Sequence, residues 1–227
     1  MTDLAVAWDA YSRSKPPRRS TNAAGQRTWF NWTAHPDHGP TEDLLAPKAG
    51  ARMLDLGCGK GGNIAHLATL GVHAIGLDLS ALQIDAARER WEHLPTLAFQ
   101  QGDAVEYLAS GAGWFDAIYS VFGALWFIDP DTWLPLAWQR LAPGGRLAFS
   151  HRPPFHGCYG CQAGFIRHGN QEPFVIRRWD YTPEMWHDQL TQHGFTDVGT
   201  TVIPGPEGVA KPTDTMLVHG RRPASFR

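Results

Sequence analysis

Residues 52–62 read RMLDLGCGKGG, a short aliphatic run that ends in a cluster of glycines. Residues 52–56 form a candidate buried strand, and residues 63–70 show the apolar spacing of a helix. Glycines between a strand and a helix let a ligand approach the backbone closely, next to the exposed N–H groups of the helix. The segment therefore predicts a ligand site at the end of a strand in an open α/β sheet.

Strand and helix patterns continue to alternate as far as residue 150. Ser80 and Gln83 form a capping box that predicts the start of the next helix, and Asp129-Pro130 predicts the start of another. This alternation indicates a parallel sheet with right-handed crossovers. A last helix begins at Thr182-Pro183, and two strand-like runs follow it. We predict a doubly wound, Rossmann-like α/β fold with an antiparallel end; its later strands fall at residues 72–77, 96–100, 115–121, 145–150, 198–203 and 215–219.

Composition excludes several classes of protein. The chain has 227 residues, of which 43% are hydrophobic and 19% charged, as in ordinary globular proteins. Its formal net charge of -2 gives no overall attraction to nucleic acid or to acidic membranes. Three cysteines are too few for a disulfide framework, which indicates a reducing, cytoplasmic setting. The apolar run at residues 117–128 is shorter than the roughly 20 residues of a membrane helix, and the first residues do not resemble a secretory signal.

The glycine turn is compatible with two kinds of cofactor. Gly57, Gly59 and Gly62 match the spacing of the dinucleotide fingerprint, and Asp78 follows about 20 residues later, where an acid would bind ribose. Asp55, however, stands two positions before the first glycine. A carboxylate there would repel a pyrophosphate but would attract a cofactor that carries a positively charged amino group.

A series of segments resembles class I S-adenosylmethionine-dependent methyltransferases, in the small-molecule branch related to the ubiquinone and menaquinone enzymes. The matching segments are residues 55–61, 76–80, 101–104, 115–120, 141–147 and 178–195. The resemblance covers residues 50 to 200 and follows the family's motif order. It implies a seven-stranded sheet in the order 3-2-1-4-5-7-6, with the last strand antiparallel. It also implies S-adenosyl-L-methionine as cofactor and S-adenosyl-L-homocysteine as product.

The resemblance also implies which residues contact the cofactor. Asp55 and the turn formed by Gly57, Cys58 and Gly59 would hold the methionine portion, and Asp78 would accept both ribose hydroxyls. The adenine would meet Asp103 and the Ala104 N–H. Further implied contacts are Tyr11, Asn63, Leu79, Ser120 and Val121.

Helix capping is the alternative explanation for two of these acids. Asp78 and Asp103 each precede a helix, and a cap alone could account for either one. Three acids at three successive strand ends favour cofactor binding over capping.

His151 is the candidate catalytic residue because it directly follows the fifth strand, on the ligand side of the sheet. An acceptor hydroxyl of high pKa needs a general base, whereas a carboxylate or a free amine does not. The alternative is a hydrogen-bonded structural histidine beside Arg152.

Two irregular segments are predicted to build the acceptor site. Residues 1–48 would form an N-terminal lid, and residues 151–182 would form an insertion in the cofactor-binding domain of residues 49–227. Tyr11 could instead simply pack on the sheet. Cys158 and Cys161, near His168, have a spacing weakly similar to zinc ligands, but we predict no metal. The candidate substrate contacts are Trp29, Trp32, Trp126, Arg152 and Trp179.

The predicted function is methyl transfer from S-adenosylmethionine to a small-molecule acceptor, a secondary metabolite methylated on oxygen. Nitrogen or carbon methylation is an alternative. Two further classes are a nicotinamide oxidoreductase, which Asp55 disfavours, and a non-catalytic cofactor-binding subunit. We expect no nucleic acid or membrane partner, and a monomer or homodimer. The basic run at residues 13–19 is interpreted as an arm rather than an RNA contact.

Overall fold

The computed structural model describes residues 4–14, 19–111, 113–167, 169 and 172–224. Residues 15–18 of the basic run and His168 lie outside the described residues. No helix in the described part of the chain is both long and apolar enough to cross a membrane. In chain order, the elements are α1 (Leu4–Ser14), β1 (Arg52–Leu56), α2 (Gly62–Thr69), β2 (His73–Asp78), α3 (Ala81–Trp91), β3 (Leu97–Gln101), α4 (Ala104–Ala109), β4 (Phe115–Val121), α5 (Pro130–Arg140), β5 (Leu141–His151), β6 (Gly160–Ile166), β7 (Phe174–Asp180), α6 (Pro183–Gln192), β8 (Thr196–Ile203) and β9 (Thr215–Arg221), with short 3-10 helices at Glu42–Leu45 and Ala124–Trp126.

Seven strands form one mixed sheet in the order β3-β2-β1-β4-β5-β9-β8. The first five strands are parallel, and β9 runs antiparallel to both β5 and β8. This order confirms the predicted topology, with β8 and β9 as the sixth and seventh strands of the sheet. The strand order reverses between β1 and β4, so a crevice opens at the carboxyl ends of these two strands.

The sheet is buried on both faces, as parallel strands usually are. Leu54 of β1 packs in the cluster that contains residues of α4, α5 and α6. Its neighbour Met53 points to the other cluster, where α2 and the segment of residues 30–45 cover the sheet. Alternate residues of β1 therefore anchor opposite layers, which holds the carboxyl end of this strand firmly in place.

The segment of residues 30–45 is a part of the core. The Trp32 side chain is fully buried and packs against Phe30 and Tyr119. Its indole Nε1 donates to the Thr41 carbonyl at 2.9 Å, and its own carbonyl accepts from the Ser150 hydroxyl at 2.6 Å. The ring and the N–H of Trp32 are thus used in packing, and its contact with substrate stays a prediction.

The insertion of residues 151–182 contains a two-stranded antiparallel sheet, β6–β7, where an irregular segment was expected. Its strands alternate, with Ile166 and Ile176 buried while Phe165 and Val175 are exposed. The buried pair packs against Ala7 of α1. The abundant glycines and arginines of this segment hid a period-2 pattern that tertiary packing stabilises.

Candidate active site

Carboxylates lie at the carboxyl ends of three neighbouring strands of the sheet. Asp55 lies in β1, Asp78 ends β2 and Asp103 follows β3. Parallel pairing sets Asp55 beside Gly76 of β2, and it sets Asp78 beside Gln101 of β3. The three acids therefore lie along the same edge of the sheet, where the crevice opens.

Asp78 is held by backbone N–H groups on both sides. One carboxylate oxygen accepts from the Gly59 N–H at 2.8 Å, and the other accepts from the Ser80 N–H at 2.9 Å. Burial raises the pKa of Asp78 and the charge of Asp9 raises it further, whereas these hydrogen bonds lower it. The β2 acid is thus tied directly to the glycine turn after β1.

Asp55 gives the crevice a negative potential. Its side chain is 3% exposed. Burial raises the pKa of the Tyr119 hydroxyl well above its usual value, and the charge of Asp55 raises it further. The pKa of the Cys58 thiol is also raised well above its usual value, by burial first and then by the charges of Asp55 and Asp78. Cys58 is therefore a protonated packing residue, and the turn around it favours a cation.

The glycine turn is closely packed against the loop after β4. Gly57 has a φ of 80°, and a β-carbon there would overlap the Ala124 backbone nitrogen. A β-carbon on Gly123 would lie 2.6 Å from the Leu56 carbonyl oxygen, which also accepts from the Ser120 hydroxyl at 2.6 Å. The backbone after β1 is therefore fixed against β4 and presented to the crevice without side chains.

Asp103 caps α4, as the capping alternative requires. One carboxylate oxygen accepts from the backbone N–H groups of Val105 at 2.8 Å and of Glu106 at 3.1 Å. Ala104 is buried behind it, whereas Leu79 and Val121 are partly exposed. Both capping bonds use the same Asp103 oxygen, so the second oxygen of this carboxylate can also face a ligand.

His151 ends β5 and is fully buried. Its Nδ1 lies 2.6 Å from the Arg152 carbonyl oxygen, which can only accept, so Nδ1 carries the proton. Its Nε2 is buried and has no hydrogen-bond partner among the described residues. Burial lowers the pKa of His151 to about 4, although the Arg152 carbonyl and the Asp180 charge oppose this shift. At neutral pH the ring is therefore uncharged, with a free lone pair on Nε2.

Comparisons with known proteins identify the family. Residues 53–145 match a family model described as a methyltransferase domain. The chain is 32% identical over 206 residues to trans-aconitate 2-methyltransferase of Deinococcus radiodurans. This alignment covers 79% of the chain and 75% of that protein. The chain belongs to the class I S-adenosylmethionine-dependent methyltransferases. The nicotinamide alternative is thereby rejected.

Further similarities are consistent with this assignment. The methyltransferase is 33% identical over 109 residues to ubiquinone biosynthesis O-methyltransferase of Aromatoleum aromaticum. This alignment covers 48% of the chain and 47% of that protein. Its fold resembles a putative S-adenosylmethionine-dependent methyltransferase from Listeria monocytogenes, with a TM-score of 0.62 and 18% identity, over 79% of this chain and 93% of that one. Several other curated relatives align over less than half of their length.

The residues of the crevice fit S-adenosylmethionine as cofactor. The methionine portion carries an amino group and a sulfonium, and the potential of Asp55 and Asp78 favours both cations. The same negative potential would repel a pyrophosphate. The absence of β-carbons at Gly57 and Gly123 lets the two backbone segments pack closely, which fixes the turn after β1 at the crevice.

The first helix of the methyltransferase is docked beside the Asp78 end of the crevice. Asp9 of α1 accepts from the Ser80 hydroxyl at 2.5 Å and from the Leu82 N–H at 3.4 Å. Tyr11 is 37% exposed and packs edge-on against Trp8. Asp9 was not predicted as a site residue, since a lone acid in an amphipathic helix gives no motif.

The loop after β4 places Trp126 against His151. The two rings stack with centroids 5.4 Å apart and an interplanar angle of 13°. The Trp126 Nε1 donates to Asp180 at 2.8 Å, and Arg178 binds the other Asp180 oxygen at 2.8 Å. Trp126 is a predicted substrate contact, and that role stays a prediction. Asp180 was not among the predicted residues, because its strand was not recognised.

The remaining predicted site residues are scattered. Arg152 is exposed at the end of β5, while Trp29 and Trp179 are half-buried. Both polar groups of the Asn63 side chain bind the backbone of Asn31, at 3.2 and 3.0 Å, so this amide holds the N-terminal segment. Cys158 and Cys161 are exposed, free thiols. In the described part of the chain, no three His, Cys, Asp or Glu side chains form a metal-binding group.

Proposed function

We propose that the methyltransferase methylates a hydroxyl oxygen of a small-molecule acceptor, a secondary metabolite, with His151 as general base. The observation that carries this proposal is the buried His151 Nε2, which has a free lone pair and no hydrogen-bond partner among the described residues. A buried nitrogen without a partner is costly to keep. An acceptor hydroxyl would supply the missing partner.

The cofactor assignments form the first part of the proposal. Asp55 binds the methionine amino group together with the backbone of Gly57 to Gly59 and the Ser120 carbonyl. Asp78 accepts both ribose hydroxyls, since its two oxygens match a vicinal diol. Asp103 accepts from the adenine amino group and Ala104 donates to a ring nitrogen. Around them we place Tyr11, Leu79 and Val121 as pocket walls, and Asn63 as a support of the N-terminal segment.

The chemistry asks little of the protein beyond alignment and proton transfer. When bound, S-adenosylmethionine supplies an electrophilic methyl group on a positively charged sulfur. The His151 Nε2 would accept the O–H proton of the acceptor, while the methyl–sulfur bond would break and leave neutral S-adenosylhomocysteine. The low pKa of this imidazole keeps it unprotonated at neutral pH but makes it a weak base. It therefore suits an acidic hydroxyl, such as a phenol, better than an aliphatic alcohol.

The acceptor pocket is assigned to the residues around His151. Trp126 lies against the imidazole, Arg152 follows it in the chain, and Trp29 and Trp179 are the outer candidates. Residues 1–48 are proposed as the cap of this pocket, and residues 49–227 as the cofactor-binding domain. An oxygen acceptor is also the activity named for the ubiquinone relative. Nitrogen or carbon acceptors are the alternative, and a free amine would not require His151 because its nitrogen carries a lone pair.

An acceptor panel tests the proposal. The purified chain is incubated with methyl-labelled S-adenosylmethionine and with trans-aconitate, catechol, a primary arylamine or an alkylated indole. We expect transfer to the catechol oxygen, and His151→Gln should slow it about a hundredfold. His156→Gln, which changes an exposed histidine, is the matched control. Methylation of the arylamine or the indole alone, or full turnover by His151→Gln, would contradict the oxygen and base assignments.

A further inference from the structure

The strongest unexplained feature of the molecule is a buried carboxylate in the insertion. Asp180 is 2% exposed and ends β7, outside the seven-stranded sheet. Burying a carboxylate is unfavourable unless hydrogen bonds and charge compensate for the lost hydration. The groups that Asp180 binds therefore indicate the function of this residue.

Asp180 divides its two oxygens between two elements. One oxygen accepts from the indole Nε1 of Trp126, in the loop after β4, at 2.8 Å. The other accepts from Arg178 Nε at 2.8 Å within β7. The Arg178 guanidinium also lies 5.8 Å from the Trp126 ring centroid. The carboxylate thus links the insertion to the loop that follows β4, with Arg178 balancing its charge.

Trp126 is the intermediary between this pair and His151. Its ring is nearly parallel to the imidazole, with the centroids 5.4 Å apart. Phe149 and Trp186 also pack on His151, with centroids 6.0 and 5.7 Å away. The other rings belong to β5 and α6, which are fixed in the main core. Trp126 instead ends the short 3-10 helix after β4, and the bond to Asp180 holds its indole N–H from the side of the insertion.

We propose that Asp180 is a positioning residue: its carboxylate holds Trp126 parallel to His151 and so fixes the wall along which the acceptor approaches Nε2. The insertion thereby sets the acceptor geometry without touching the cofactor turn at Gly57. This proposal rests on the proposed function for its effect on turnover. The link from Asp180 through Trp126 to His151, however, can be measured without any acceptor.

Nuclear magnetic resonance of the full chain, saturated with S-adenosylhomocysteine, measures the link directly. Asp180→Ala should shift the Trp126 indole N–H resonance and speed its hydrogen exchange at least about tenfold. It should also change the ring-current shift of the His151 imidazole protons. Asp180→Asn keeps an accepting oxygen and should give smaller changes. Asp188→Asn, which alters an exposed acid of α6 that is 73% accessible, should give none.

A second variant shows whether Trp126 carries the effect. Trp126→Phe keeps an aromatic ring but has no N–H. Adding Asp180→Asn to it should therefore change the His151 resonances less than Asp180→Asn does in the wild-type chain, because only the direct effect of the lost charge on His151 is left. If Asp180→Ala does not alter the Trp126 and His151 resonances, the positioning role is wrong. If Asp180→Asn shifts His151 as much in the Trp126→Phe variant as in the wild-type chain, the route through Trp126 is wrong.

Turnover separates this proposal from the proposed function. With catechol as acceptor, Asp180→Ala should lower kcat about tenfold while the affinity for S-adenosylhomocysteine stays within about twofold. If Asp180→Ala loses turnover and His151→Gln keeps it, the base assignment fails and the positioning of Trp126 stands. If Asp180→Ala keeps full turnover although the resonances move, the wall has no role in acceptor geometry and the proposal is overturned.

Discussion

Gly57 and Gly123 are packed back to back, so that a β-carbon on Gly123 would lie 2.8 Å from the Gly57 carbonyl oxygen. This contact joins the turn after β1 to the loop after β4 at the point where the strand order reverses. One wall of the crevice is therefore made of backbone alone, and its geometry requires glycine at both positions.

Gly57→Ala should damage this wall more than its backbone conformation alone explains. A left-handed residue other than glycine costs about 1 kcal/mol, and here the added carbon also overlaps the Ala124 nitrogen. Gly25→Ala is the matched control, because Gly25 has a similar φ of 78° and open space around it. Chemical denaturation should show a larger loss for Gly57→Ala, with weaker S-adenosylhomocysteine binding. Equal losses at the two positions would refute the close-packed wall.

Asp103 allows capping and cofactor binding to be measured separately. Asp103→Ala removes the α4 cap and should lower the free energy of unfolding by about 1 kcal/mol. Asp103→Ser keeps a cap and should retain most of that stability. Both variants should bind S-adenosylhomocysteine more weakly, because neither has the second carboxylate oxygen for the adenine. If Asp103→Ser binds with full affinity in calorimetry, Asp103 is a cap only.

Asp9 should hold α1 next to the Asp78 end of the crevice. Asp9→Ala removes the acceptor of the Ser80 hydroxyl bond, so hydrogen exchange across Leu4–Ser14 should accelerate. The affinity for S-adenosylhomocysteine should also fall by about threefold or more if α1 covers the cofactor. Ser14→Ala, which removes a bond within the exposed end of α1, is the control. Faster exchange without any loss of affinity would show that α1 does not act as a lid.

His151 should make the stability of the protein depend on pH. Its folded pKa of about 4 lies below the ordinary value of 6.5, so the unfolded chain binds the proton more tightly. The imidazole therefore imposes no pH-dependent cost above about pH 6.5, and the folded state loses up to about 3 kcal/mol relative to the unfolded state as the pH falls toward 4. His151→Gln should remove this part of the slope in urea denaturation between pH 7 and 4. An identical slope in the variant would mean that His151 titrates normally.

The sequence was most informative where local and tertiary preferences agree. β1 and β4 have the predicted bounds, and the Ser80 hydroxyl accepts from the Gln83 N–H as the predicted cap of α3 requires. These elements have a continuous apolar run or a specific capping side chain. β5 begins at Leu141 rather than at residue 145, because the Pro143-Gly144-Gly145 turn is accommodated within the strand by an irregular register with β4.

Contacts between distant segments could not be read from local patterns. The β6–β7 hairpin is stabilised by α1, more than 150 residues earlier in the chain. Asp180 reaches Trp126 only because that hairpin brings the two residues together. Trp32 is predicted as a substrate contact because it is aromatic, and its burial in the core shows that the residue type alone does not distinguish the two positions.

The direct test of the carboxylate edge is calorimetric titration of S-adenosylhomocysteine into the wild-type chain, Asp78→Asn and Asp85→Asn. Asp78→Asn keeps the shape of the side chain but has only one accepting oxygen for the ribose diol, so its affinity should fall about tenfold or more. Asp85→Asn changes an exposed acid of α3 and should bind within about twofold of wild type. Wild-type affinity in Asp78→Asn would contradict the assignment of this edge as the cofactor site.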